Sequence, residues 1–217
     1  MQKKTLWIAG AAAGAALLAG CATVASGPDY DKLVEQMMMS SFTDRGIATV
    51  DRLKQDPTEA ACSAAEGKDL PEAQAKAVEA RNLATIKWPA DGKYLGDWKE
   101  GEKLAQNGRG MTWSDASAAT SANGGNCYNC HQISKQEISF GTLGPSLYKY
   151  GEIRGVKDPA SADSKAIVEY TWGKLYNAKA YSACSIMPRF GHGGMLDERQ
   201  MKDLMALLLD PKSPVNQ

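Results

Sequence analysis

The stretch Gly125-Asn126-Cys127-Tyr128-Asn129-Cys130-His131 decides how this 217-residue sequence is interpreted. Two cysteines separated by two residues, with a histidine directly after the second, occur at this one place in the chain. Covalent attachment of a haem requires two thiols that reach the two vinyl groups on one porphyrin edge, beside an imidazole that faces the iron. The spacing of Cys127, Cys130 and His131 therefore predicts one covalent haem c, with His131 as an axial ligand of the iron.

Two other chemistries use a Cys-x-x-Cys pair, and both fit this sequence less well. A zinc site would need two further ligands, and the available residues occur singly rather than at a paired spacing. These residues are Cys62, Cys184, His131 and His192. A thioredoxin-like redox pair would lie in βαβ surroundings and would have no histidine directly after it. We therefore favour haem over zinc or a redox disulfide.

The amino-terminal segment predicts export. Residues 1–20 combine a short basic start, an apolar run too short to span a bilayer, and small residues at the end, which is the layout of a secretory signal. Leu18-Ala19-Gly20-Cys21 resembles the bacterial lipobox, in which the cysteine is acylated and becomes the mature amino terminus. We expect a periplasmic protein anchored to a membrane by acylated Cys21. Cleavage after Ala25 by an ordinary signal peptidase would instead discard that cysteine.

The five cysteines can all be assigned, because export places them in an oxidising compartment where free thiols rarely persist. Lipid accounts for Cys21 and haem for Cys127 and Cys130. Cys62 and Cys184 remain, and they are predicted to form a disulfide. The alternative is a reactive Cys184 near the haem, or a thiolate ligand, which would leave Cys62 unexplained.

Composition narrows the possible partners. The chain has 25 Lys and Arg residues against 25 Asp and Glu, and no stretch concentrates basic residues with aromatics. Nucleic acid is therefore not an expected partner, and contact with a membrane is expected only through the lipid anchor. Aromatic residues make up only 7% of the chain, which is low for a domain of this size. A buried porphyrin would supply the missing flat apolar area.

Strand-like alternation is scarce, so the sequence predicts an all-α protein with irregular loops. Residues 21–31 are small and polar and are interpreted as a tether. Residues 32–93 are interpreted as a helical amino-terminal extension, with helices over 33–54 and 71–86. The haem domain is predicted over residues 94–217.

Two helices are predicted at the ends of the haem domain. The first follows Asp97 as a possible N-cap and contains Gly101, a residue that is costly in a helix unless two helices cross closely there. The last follows a capping box formed by Asp197 and Gln200, and it ends before Pro211. Its apolar stripe consists of Met201, Leu204, Met205 and Leu208.

A first and a last helix that cross over one haem are the architecture of class I cytochromes c, which this segment resembles. The segment Gly141-Thr142-Leu143-Gly144-Pro145-Ser146-Leu147 follows the haem motif, as a Gly-Pro segment does in that class. The resemblance implies that the Pro145 carbonyl accepts a hydrogen bond from His131 and so fixes the orientation and basicity of the ligand. The alternative is a turn with no electronic role.

The sixth iron ligand is expected in the last third of the chain. Ser185-Ile186-Met187-Pro188-Arg189-Phe190 resembles the Met-Pro-x-Phe segment that brings a thioether to iron in many bacterial class I cytochromes. Met187 is therefore the predicted ligand, with Pro188 holding it in an extended loop. The other candidates are His192, Met195 and the more remote Met111. Histidine and methionine together would close the iron to substrate, so the prediction is outer-sphere electron transfer.

Three segments together resemble the SoxX family, the small cytochrome subunit of the SoxAX complex of bacterial sulfur oxidation. They are the haem motif, the Gly141–Leu147 segment, and Ala183-Cys184-Ser185-Ile186-Met187-Pro188-Arg189-Phe190-Gly191 with the closing helix. The resemblance covers roughly residues 94–210, and the lipobox and long extension fit some family members less closely.

The resemblance implies a heterodimer with a SoxA-like cytochrome, which carries the active-site cysteine. Such an L-cysteine S-thiosulfotransferase joins thiosulfate oxidatively to a cysteine of a SoxYZ-like carrier, with release of two electrons. This chain has one haem motif, so it would be the electron relay to a downstream cytochrome c rather than the catalytic subunit.

Two other functions are compatible with the sequence. One is a free-standing, lipid-anchored electron carrier between a membrane complex and a terminal oxidase, and the other is a lipid-tethered haem sensor. The extension favours the subunit, because a shuttle gains nothing from it.

Overall fold

The computed structural model of the chain describes residues 27–217. The predicted signal sequence at residues 1–20 and the predicted lipidation site Cys21 lie outside the described residues. The chain divides into one compact unit that ends at Thr43 and a second that comprises Asp44–Gln217.

The regular structure of residues 27–217 is helical, apart from one isolated antiparallel bridge between Arg45 and Ala48. The predicted all-α class is therefore confirmed. Among the helices described, none has the length and apolar character needed to cross a membrane. Short 3-10 helices lie at Val50–Leu53, Thr120–Ala122, Cys127–Asn129, Ala162–Ser164, Ala178–Ala180 and Pro214–Asn216.

The first unit contains helix α1, Tyr30–Ser41. Its N-cap is Asp29, whose side chain accepts the backbone N–H of Lys32 at 3.1 Å. The sequence predicted one helix over 33–54, and the second half of that prediction is wrong. The chain becomes extended at Phe42, and Gly46 has a left-handed φ of 52°, a conformation that does not continue an α-helix.

Two helices form the amino-terminal part of the second unit. Helix α2, Pro57–Ala64, was not predicted, although Asp56 and Glu59 form a complete capping box at its start. Helix α3, Glu72–Leu83, lies within the predicted range 71–86, and Pro71 is its N-cap rather than its first helical residue.

The two helices predicted near the ends of residues 94–217 are both present. Helix α4, Trp98–Gln106, begins at Asp97, whose carboxylate accepts the Lys99 N–H at 2.8 Å. Helix α7, Glu198–Leu209, begins with the predicted capping box. The two helices pack against each other at Gly101, where an added Cβ would overlap the carbonyl oxygen of Asp203. The close helix crossing expected from Gly101 is therefore confirmed.

This crossing predicts a measurable loss of stability. Replacing Gly101 by alanine should lower the free energy of unfolding by about 1–3 kcal/mol, because the methyl group must push α4 away from the backbone of α7. Lys99→Ala is the matched control on an exposed position of the same helix, and its expected effect is within about 0.5 kcal/mol. Urea unfolding measures both. Equal unfolding midpoints for Gly101→Ala and the parent protein would contradict a tight crossing.

The core lies between α7 and two further helices, α5 at Tyr150–Ile153 and α6 at Lys165–Tyr176. All four residues of the apolar stripe predicted in α7 are buried, as are Leu207 and Leu209. In α6, Trp172 is only 1% exposed, and its Nε1–H donates to the carbonyl of Lys87 at 2.9 Å. The indole thus fixes the end of the extension against the core.

The extension from residue 44 onward packs with residues 94–217 as part of the same compact unit. A buried amide network joins them, because Asn177 donates to the side-chain oxygens of Asn82 and Thr85 at 3.0 Å each. Asn82 in turn donates to Thr58 at 3.0 Å. Buried amides cost stability unless they are hydrogen-bonded, so this network specifies one docking position for the extension.

The predicted disulfide between Cys62 and Cys184 is confirmed. Their Cα atoms lie 5.5 Å apart, and the bond joins residues separated by 122 positions. The alternative of a reactive or iron-ligating Cys184 is wrong, because its sulfur is bonded to Cys62. A loop of this length restricts the unfolded chain strongly, by about 3–5 kcal/mol from chain entropy.

Candidate functional site

The cysteine motif forms a tight turn at the end of helix α4. Cys127 begins the 3-10 helix Cys127–Asn129, and its carbonyl accepts the N–H groups of Cys130 at 3.1 Å and His131 at 2.9 Å. The N–H of Gly125 donates to the carbonyl of Leu104 in α4 at 2.8 Å. The turn therefore carries two thiols and one imidazole within five residues, and the Gly125 hydrogen bond holds it against the end of α4. Both thiols are free.

The electrostatics of Cys127 differ from those of a redox-active cysteine. Burial raises the pKa of its thiol to about 12. Reactive Cys-x-x-Cys pairs depend instead on a lowered pKa, which provides thiolate at neutral pH. Cys127 is thus a neutral thiol at neutral pH, which disfavours a thioredoxin-like function.

The zinc alternative loses two of its possible ligands, because Cys62 and Cys184 are bonded to each other. In the described part of the chain, no group of three or more His, Cys, Asp or Glu side chains is placed to hold a metal ion.

His131 is oriented by the residue that the sequence predicted. Its Nδ1 lies 2.7 Å from the carbonyl oxygen of Pro145, so the predicted hydrogen bond is confirmed. Because a carbonyl oxygen can only accept, Nδ1 carries the proton in this bond. In the neutral imidazole, Nε2 then has a lone pair available for a metal ion.

Backbone hydrogen bonds hold the glycine-proline segment against the cysteine motif. They run from the N–H groups of Gly141, Gly144 and Leu147 to the carbonyls of Tyr128, Cys130 and Gln132, at 2.7, 2.8 and 2.7 Å. A Cβ added to Gly144 would overlap the imidazole ring of His131. Glycine at this position therefore lets the segment lie directly on the ring, which limits the ring to one orientation.

Sequence reasoning did not single out Tyr128, which lies between the two cysteines. Its side chain is buried, and its hydroxyl donates to Glu102 of α4 at 2.9 Å and lies 3.1 Å from the hydroxyl of Ser134. Burial raises the pKa of Tyr128 to about 12, so the hydroxyl keeps its proton at any physiological pH. An aromatic residue inside the motif was the available signal, and its function here is to fix the turn to α4.

Met187 lies in the loop between the 3-10 helix Ala178–Ala180 and α7, partly buried against the hydrophobic core. Its backbone N–H donates to the hydroxyl of Ser185 at 3.2 Å. The neighbouring Ile186 is 80% exposed, and on the other segment Leu143, next to Gly144, is 73% exposed. An exposed apolar side chain therefore lies next to Met187, and another lies next to the glycine that contacts His131.

The other candidate ligands have different surroundings. Met195 also packs against the core, and its carbonyl accepts from the amide of Asn123 at 2.8 Å. His192 is exposed in a turn, where its backbone N–H donates to Tyr176 at 3.0 Å. Met111 has a left-handed φ of 63°, and its carbonyl accepts from Arg52 at 2.7 Å.

Part of the sequence is similar to a known bacterial protein. No known protein family matches the sequence. An uncharacterized lipoprotein of Aquifex aeolicus (strain VF5) is 38% identical to this chain over 137 residues. The match covers 61% of this chain and 59% of that protein, so the chain spans about three fifths of the length of the curated relative it matches. Over the larger part of its length, the chain is therefore similar to a lipoprotein.

Proposed function

We propose that this protein is a mono-haem c-type cytochrome that transfers electrons in the periplasm. The observation that carries the proposal is the 2.7 Å hydrogen bond from His131 Nδ1 to the Pro145 carbonyl, beside the free thiols of Cys127 and Cys130. It supports His131 as an iron ligand, because a ligating imidazole commonly donates its second N–H to such an acceptor.

The side chains at the site fit a covalently bound haem. Two free thiols suit thioether formation, and the imidazole has one tautomer and one orientation, set by Pro145 and Gly144. The exposed side chains of Leu143 and Ile186 offer apolar surface for a porphyrin. When bound, haem c supplies an iron that changes between the ferric and ferrous states. The part of the protein is to hold that group, to ligate it through His131 and Met187, and to exclude other ligands.

The fold supports the proposal at the level of a class I cytochrome c. Helix α4 is joined to the segment before the cysteine motif by the hydrogen bond from Gly125 to Leu104, and it crosses α7 at Gly101. This order of helix, attachment motif, methionine loop and closing helix is the one expected for that class.

Within the class, we propose a SoxX-like electron relay in a SoxAX-type thiosulfotransferase. The resemblance of the haem motif, the Gly141–Leu147 segment and the Met187 loop supports this assignment. The proposed partners are a SoxA-like cytochrome, a SoxYZ-like carrier reached through the complex, and a downstream cytochrome c. The extension is fixed to the domain by a disulfide and a buried amide network. A small diffusing electron carrier does not need such an attached extension.

Anchoring to a membrane through Cys21 is part of the proposal. The lipobox-like sequence supports it, and the similar protein of Aquifex aeolicus is a lipoprotein.

Mass spectrometry tests the cofactor. The full chain is produced in a bacterium that attaches haem in its periplasm, and the mature protein is measured under denaturing and reducing conditions. We expect a mass that exceeds the apoprotein by one haem, because the attachment spacing occurs once. A mass equal to that of the apoprotein would contradict the proposal.

A second experiment tests the subunit assignment. Co-expression with the SoxA-like cytochrome encoded by the same organism should yield a stable heterodimer in size-exclusion chromatography. A haem protein that elutes alone, and reduces a terminal oxidase directly, would instead identify the free-standing carrier.

A further inference from the structure

We propose that helix α2 is a clamp that positions Met187, and that Asp56, Glu59 and Cys62 are the residues through which it acts. The clamp gives the amino-terminal extension a specific function in iron ligation. This inference rests on the proposed function, in which Met187 is the second iron ligand.

The first attachment lies before Met187 in the sequence. Cys184 precedes Met187 by three residues and is bonded to Cys62 of α2. The adjacent N–H of Ala183 donates to the carboxylate of Glu79 in α3 at 3.2 Å. The entry to the Met187 loop is therefore fixed covalently to one helix of the extension and by a hydrogen bond to the next.

The second attachment lies after Met187. Arg189 follows Met187 by two residues, and its side chain is only 16% exposed. Its Nη1 lies 2.6 Å from Asp56 Oδ2 and its Nη2 lies 3.0 Å from Glu59 Oε1. A guanidinium that is bonded to two carboxylates is held in both position and direction.

Both attachments converge on one rigid element. Asp56 is the N-cap of α2, Glu59 completes its capping box, and Cys62 lies one turn further along. The helix therefore fixes the loop on both sides of Met187. Methionine has three flexible side-chain torsions, so the side chain alone does not fix the position of its sulfur. The backbone of the loop must do so, and the bonds to α2 are placed to hold that backbone.

A pair of isosteric substitutions tests the clamp without removing α2. Asp56→Asn with Glu59→Gln eliminates both carboxylate charges facing Arg189, while asparagine and glutamine still serve the capping box. We expect the covalent haem and the disulfide to persist. The weak sulfur-to-iron absorption of the ferric protein should decrease, and carbon monoxide should bind faster to the ferrous protein, on the order of tenfold for the loss of two charge-assisted hydrogen bonds.

The matched control is Glu72→Gln, which removes an exposed ion pair with Lys76 in α3. Its absorption spectrum and carbon monoxide binding should equal those of the parent. Cys62→Ser with Cys184→Ser removes the other attachment and should change both readouts in the same direction. This second variant keeps the test decisive if the first does not fold.

The possible outcomes separate the clamp from the proposed function. If the parent protein shows the sulfur-to-iron absorption and both clamp variants retain it with unchanged carbon monoxide binding, the clamp is refuted and the proposed function stands. If the parent protein contains no covalent haem or lacks that absorption, the proposed ligation fails and the clamp falls with it.

Discussion

Replacement of Cys127 and Cys130 by serine is expected to abolish covalent retention of haem completely. Serine preserves the size of each side chain but cannot form a thioether, so any haem bound through His131 would be released when the protein is denatured. Acid extraction into an organic solvent, followed by absorbance of both phases, measures the effect. The parent protein should keep its haem in the protein phase.

The other cysteine pair provides a matched control for this experiment. Cys62→Ser with Cys184→Ser should leave covalent haem unchanged, since these sulfurs are bonded to each other and not to haem. It should instead lower the free energy of unfolding by about 3–5 kcal/mol, because the unfolded chain regains the entropy of a long loop. Haem extracted from the Cys62/Cys184 variant, or retained by the Cys127/Cys130 variant, would show that the cysteines have been paired with the wrong functions.

Local signals allowed the sequence to predict α4 and α7. Each begins with an aspartate whose carboxylate accepts a backbone N–H within the next three residues, and both caps are present. Helix α2 carries the same kind of signal at Asp56 and Glu59, with Pro57 at its first position, and it was overlooked. Its eight residues are too few to form a long apolar stripe, which is the pattern that predicts most helices.

Helix α6 was missed for a different reason. Its buried residues include Val168, Thr171, Trp172 and Leu175, together with Gly173 and Tyr176. Val168, Thr171, Trp172 and Leu175 recur at i, i+3, i+4 and i+7 and so share one buried face. The polar Thr171 interrupts the apolar character of that face, and Gly173 and Tyr176 are buried beside it, so the contrast between an apolar and a polar side is weak.

The contacts of the site also differ in whether they could be predicted from the sequence. The bond from His131 to Pro145 joins residues 14 positions apart, and the resemblance to class I cytochromes c implied it. The disulfide was accessible by elimination, because few cysteines were left to pair. The ion pairs of Arg189 join residues 130 and 133 positions apart, and no local pattern identifies them. These long-range contacts are the ones that give the extension its proposed function.

Met187→Ala is expected to have the second large effect. A thioether stabilises ferrous iron, so its loss should lower the reduction potential and leave water or another side chain in its place. The weak sulfur-to-iron absorption of the ferric state should disappear, and ferrous iron should bind carbon monoxide readily. Spectroscopy and a redox titration of the purified holoprotein measure these changes.

Two substitutions serve as controls. His192→Ala and Met195→Ala should leave the spectrum intact, because His192 is exposed in a turn and Met195 packs against the core beside α7. If either one removes the absorption while Met187→Ala does not, the iron ligand has been assigned to the wrong residue of this loop.

The same variant also tests how the loop is used in a complex. If the SoxX-like assignment is correct, Met187→Ala should still assemble with the SoxA-like partner while it transfers electrons poorly, because assembly depends on the surface and the defect lies at the iron. If Met187→Ala instead loses partner binding while its spectrum is unchanged, the loop faces the partner rather than the iron.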